Sequence, residues 1–79
     1  MTNKEKYDKA FIETFSLKAS DLNDTLAYNE NPAWDSIGHM SMVAALEDAF
    51  GIALETDDII NFSSYKKGFE LLAKYGVAL

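Results

Sequence analysis

Seventy-nine residues with no cysteine make one domain and exclude a disulfide framework, a thiol nucleophile or an iron–sulfur cluster. A single histidine also excludes a structural zinc site, which takes about four His or Cys ligands. The net charge of −6 disfavours nucleic-acid binding, and no run reaches the roughly 20 apolar residues of a membrane span.

The N-terminal "MTNKEKYDKAFIETF" lacks the continuous apolar core of a signal peptide, so a soluble, cytoplasmic protein is expected. A chain this short buries only about 60% of its unfolded surface. Stability must come from packing, and 48% hydrophobic residues supply the material. Tyr7, Phe11 and Phe15 recur at four-residue spacing beside Ala10 and Ile12, a helical stripe with Lys4, Lys9 and Glu13 on its wet side. "SLKASDLNDTLAYNENPA" breaks that pattern and reads as a long loop whose Leu22 and Leu26 dip into the core. A second helix opens at Ser36 and places Ile37, Met40, Val43, Leu46 and Phe50 on one face, with Gly51 as its stop. A short turn of helix is expected around Asp57 to Asn61, opened by Thr56 as a cap. Ser63 or Ser64 caps a last helix with Tyr65, Phe69 and Leu72 on its buried stripe, ended by Gly76. No segment sustains strand alternation. The expected architecture is an all-α four-helix bundle, with three main helices, one short third helix and a long first loop.

The charges are unevenly laid out. All seven lysines lie outside residues 19 to 65, while nine acids fall inside: Asp21, Asp24, Glu30, Asp35, Glu47, Asp48, Glu55, Asp57 and Asp58. Such a middle either keeps the chain soluble or steers a basic protein surface toward it. Calcium is tested by "DLNDTLAYNENP", which starts like an EF-hand loop. It then has Leu26 where the turn glycine belongs and Pro32 where the bidentate glutamate belongs, so the match fails. The four glycines are scattered singly, which leaves no phosphate-cradling loop.

Asp35-Ser36 stands where the second helix begins. Either residue caps a helix for about 1 kcal/mol, and Asp35 alone suffices, which frees the Ser36 hydroxyl for another use. His39 lies one turn on and is expected half-exposed beside the serine. Asp35 is on the wrong side to orient its imidazole, and no Gly-x-Ser-x-Gly elbow is present, so a serine hydrolase is not expected. Trp34 either packs the loop down or contacts a partner.

Asp35-Ser36-Ile37 opens a helix carrying Met40, Val43 and "LEDAFGI", followed by "DDI" and a Ser-capped last helix. Over nearly the whole chain this resembles the acyl carrier proteins, whose hallmark is Asp-Ser-Leu before an acidic amphipathic helix. The resemblance implies a discrete acyl or aminoacyl carrier, not itself an enzyme. Ser36, next to Asp35, would bear a 4′-phosphopantetheine arm donated by coenzyme A through a phosphopantetheinyl transferase, and the imported thiol would hold cargo as a thioester. Implied partners are an acyl- or aminoacyl-loading ligase and an acyltransferase or synthase with a basic docking patch. They would read Trp34, Ile37, Gly38, His39, Met40, Glu47 and Asp48 on a monomer. Leu46, Phe50, Leu54, Ile60, Phe62 and Leu71 would line an acyl-chain cavity. Gly38, His39 and Ser41 replace the family's usual acids. That points away from housekeeping fatty-acid synthesis toward a specialised carrier for a secondary metabolite, surface glycan or aminoacyl group. The alternative is an unmodified acidic helical interaction module.

Overall fold

A computed structural model describes all residues from Met1 to Leu79. Its elements are α1 (Asn3–Phe15), α2 (Ser36–Phe50), α3 (Thr56–Asn61) and α4 (Tyr65–Ala73), with a 3-10 turn at Ala19–Asp21 and no strand. Three helices are long and the third is short, as the sequence leads one to expect.

Local chemistry explains the boundaries. Thr2 accepts from the Glu5 amide at 3.1 Å while Glu5 accepts from the Thr2 amide at 3.0 Å, a capping box that opens α1. Asp35 opens α2, and Gly51, at φ 64°, closes it in the left-handed conformation that glycine adopts without steric cost. Ser64 opens α4 by accepting from the Lys67 amide at 2.9 Å. Two boundaries differ from expectation. Glu55, not Thr56, occupies the cap position of α3, without a side-chain hydrogen bond. The α4 helix stops at Ala73, and Gly76, at φ 80°, belongs to the turn beyond it.

The core is largely aromatic. Tyr7, Phe11 and Phe15 of α1 meet Trp34, Phe62 and Tyr65, with Phe11 at 5.4 Å from Trp34 and 5.3 Å from Tyr65 between ring centroids. The buried Tyr7 hydroxyl donates to the Tyr65 carbonyl at 2.6 Å, and burial pushes its acidity far below that of a free phenol. Gly68 permits this approach, since a Cβ there would fall 2.0 Å from the Tyr7 hydroxyl. Leu26 is buried and Leu22 packs against the cluster, so both loop leucines dip inward as expected. The loop is pinned by an antiparallel bridge between Ala27 and Ser64, flanked by Tyr28 N–H to Ser63 O and Tyr65 N–H to Leu26 O, both at 2.9 Å.

The buried stripe of α2 is a correction. It consists of His39, Met42, Val43 and Leu46, whereas Ile37 is 79% exposed and Met40 53% exposed. Apolar residues occur on nearly every side of this helix, so periodicity alone does not choose the inward face. No helix is long and apolar enough to cross a membrane.

Candidate functional site

The site is built around the first turn of α2. Asp35 Oδ1 accepts from the Gly38 amide at 2.8 Å, which makes Asp35 the cap. Ser36 is therefore the first helical residue, exposed, with its hydroxyl in no hydrogen bond within the chain. The amides of Ser36 and Ile37 likewise find no protein acceptor, as the first amides of a helix do not. A free hydroxyl thus stands beside two free N–H groups at the positive end of the helix dipole.

Beneath this turn the neighbours of Ser36 are locked inward. Trp34 is 0% exposed and His39 9% exposed, so the expectation that they present themselves to a partner is corrected. The Trp34 indole N–H donates to His39 Nδ1 at 2.9 Å. An indole nitrogen can only donate, so Nδ1 must be the bare nitrogen and the imidazole proton resides on Nε2. That proton points at the Ile59 carbonyl, 2.7 Å away near the end of α3, which also accepts from the Phe62 amide at 3.4 Å. His39 therefore ties α2 to α3 and leaves neither ring nitrogen for Ser36. Gly38 is corrected in the same way. A Cβ on it would meet the Ala33 carbonyl at 2.1 Å and the Phe15 ring at 3.0 Å, so the close approach it permits is made by its own chain.

An open cleft of about 380 Å³ lies directly beside Ser36. Ser36, His39 and Met40 of α2 form one wall, Ile59 and Ile60 of α3 another, and Tyr28, Phe62 and Ser63 complete it. Tyr28 and Ile59 are not singled out by the sequence, and Ser63 only as a candidate cap of the last helix. Tyr28 arrives through the loop bridge, a long-range pairing without a local signature, whereas two apolar residues at Ile59-Ile60 on a short helix were a visible cue. Ile60 is 71% exposed on the cleft rim, so it is not part of an interior cavity. Leu46, Leu54, Phe62 and Leu71 are buried and Phe50 packs against them, yet no cleft is lined by Leu46, Phe50 or Leu54. Glu47 turns inward to accept from the Leu54 amide at 2.8 Å, bracing the link between α2 and α3. Asp48 belongs to a different cleft, shared with Lys6, Lys9 and Glu13 of α1, and is not gathered with Ser36.

The other side of α3 is held by charge. Asp58, buried, accepts from Lys74 Nζ at 2.6 Å and from the Tyr75 hydroxyl, which in turn accepts from the Glu55 amide at 2.9 Å. The Lys74 and Tyr75 hydrogen bonds hold the Asp58 carboxyl below its ordinary range, and Asp58 in return raises both Lys74 and Tyr75. The six residues of α3 are too few to hold a helix alone. A neutral bond through His39 and an ionic one through Asp58 fix it in place.

Searches against protein-family models, curated proteins and solved structures return no match for this chain.

Proposed function

We propose that the chain is a discrete carrier whose Ser36 is esterified by 4′-phosphopantetheine, and that it presents an acyl or aminoacyl cargo to partner enzymes. The observation that carries this reading is the division of labour at the start of α2. Asp35 does the capping, while Ser36 leaves an unbonded, exposed hydroxyl beside two unpaired amides and at the mouth of an apolar cleft.

The residues present fit the group. A phosphodiester on Ser36 would lie at a helix N-terminus, where free N–H groups and the dipole favour negative charge. Esterification removes no cap and no internal hydrogen bond, so the fold need not rearrange to accept it. In the transferase reaction the Ser36 oxygen would bond to the phosphorus bearing pantetheine as the pyrophosphate bond of coenzyme A breaks. The hydroxyl proton passes to base, and 3′,5′-ADP leaves. The arm supplies the thiol that this cysteine-free chain lacks. The chain's own part is to hold Ser36 outward beside the apolar cleft and to offer Ile37 and Met40 to a docking partner. The resemblance to acyl carrier proteins, in helix order as well as in Asp35-Ser36-Ile37, supports the same reading, including a bundle of the carrier type.

The test is incubation of the purified chain with coenzyme A and a broad phosphopantetheinyl transferase, read by intact mass. Wild type is expected to gain one phosphopantetheine and Ser36→Ala none. No gain on wild type, or an equal gain on the variant, overturns the reading.

One observation favours a second reading. Ile37, Met40 and Ile60 are large apolar side chains exposed around the same spot, as an unmodified docking module would have them. That reading expects binding of a basic partner that survives Ser36→Ala and weakens steeply with salt.

A further inference from the structure

We infer that the Trp34–His39–Ile59 hydrogen-bond chain closes the helical core to whatever group is carried at Ser36, so that the cargo stays in the surface cleft and is a short acyl or aminoacyl group. The inference rests on the carrier reading and specifies its cargo class.

The inner wall of the cleft is His39 and Phe62, whose rings meet at 6.2 Å and 75°. Behind them Trp34 stacks on Phe15 at 5.3 Å and meets Phe11 and Phe62 edge-on. A chain entering between α2 and α3 has to part His39 from Ile59 or from Trp34. Parting it from Trp34 strands an indole N–H that has no exposure and no other acceptor. Parting it from Ile59 strands the Nε2 proton of a buried imidazole and cuts its tie to α3. As the molecule stands, no buried side-chain nitrogen or oxygen lacks a partner, so either opening creates a defect where none exists. Outside this barrier the path is free. Tyr28, Met40, Ile59 and Ile60 offer apolar surface within the 380 Å³ cleft, and Ser63 offers a hydroxyl. Trp34 and His39 act here as positioning residues, through the wall they hold.

The experiment loads Ser36 with acetyl, butyryl, hexanoyl, octanoyl and decanoyl arms from the corresponding acyl-coenzyme A, each product verified by intact mass. Tm and NMR shifts are then recorded for each. The expected result is a Tm constant within about 2 °C across the series, with shifts confined to Tyr28, Met40, Ile59 and Ile60. A Tm that climbs by about 4 °C or more with chain length, accompanied by shifts at Leu46 or Leu72, overturns the inference and leaves the carrier reading intact. Trp34→Phe keeps an aromatic ring and deletes the donor. Its Tm is expected to fall for every load and to become dependent on chain length. A uniform fall with a flat series overturns the role given to the hydrogen-bond chain. Should that variant fail to fold, the wild-type imidazole nitrogen shifts decide, since a proton found on Nδ1 contradicts the chain. Failure of every load to attach, seen by mass, overturns the carrier reading and this inference with it.

Discussion

The two faces of the first half of α2 are built on opposite principles. Inward, Trp34 and His39 are buried and joined by a hydrogen bond whose far end holds α3. Outward, Ser36, Ile37 and Met40 stand within one turn of one another, and the Ser36 hydroxyl is unengaged. The contrast teaches how a domain this small can present an exposed hydroxyl without loosening around it. The Asp35 carboxylate and both His39 ring nitrogens, which would compete for Ser36, are engaged elsewhere, so the exposed hydroxyl stands on a rigid base.

Variants on the two faces should therefore differ sharply. Trp34→Ala removes a ring packed against Phe11, Phe15 and Phe62, which should cost about 3–5 kcal/mol. That is comparable with the whole margin of a domain of this size, about 4–12 kcal/mol, and denaturant unfolding should report it. Gly38→Ala drives a methyl against the Ala33 carbonyl, 2.1 Å away. Overpacking of about 1–3 kcal/mol should outweigh the gain in helix propensity, giving a net loss of Tm. Acid tests the second anchor of α3. Because the folded Asp58 carboxyl lies below its unfolded value, its contribution is full above the unfolded pKa of about 4. It is lost as pH falls through the folded value. Thermal melts should thus show wild type losing more stability than Asp58→Asn below about pH 4. Asp35→Ala deletes the α2 cap and should cost about 1 kcal/mol, seen as a lowered Tm of about 4–8 °C. Ile37→Ser with Met40→Ser, on the outer face, should stay within about 0.5 kcal/mol of wild type each. Should that pair destabilise as much as Gly38→Ala, the distinction between the faces fails.

Much of this was legible in the sequence, for identifiable reasons. The stripe Tyr7, Phe11, Phe15 is apolar on one side and charged on the other, so its inward face is unambiguous. Asp35 and Ser64 are short polar residues directly before apolar runs, and both cap as such residues do. The second helix is different. Ile37 and Met40 are apolar at helical spacing, yet they lie outside, while His39 lies inside. Nothing local gives that away, because His39 is buried only by virtue of partners five and twenty residues distant in the chain. The cleft beside Ser36 was hidden for the same reason. Tyr28 reaches it through a loop bridge to Ser63 and Ser64, which no periodicity encodes.

The central claim is that Ser36 carries a prosthetic arm, and the most direct measurement is top-down mass spectrometry of the chain isolated from its own cells. The account predicts a population bearing one phosphopantetheine, with fragment ions that place it on Ser36. A chain found entirely unmodified, or modified at Ser41 or Ser63 with Ser36 bare, would contradict it.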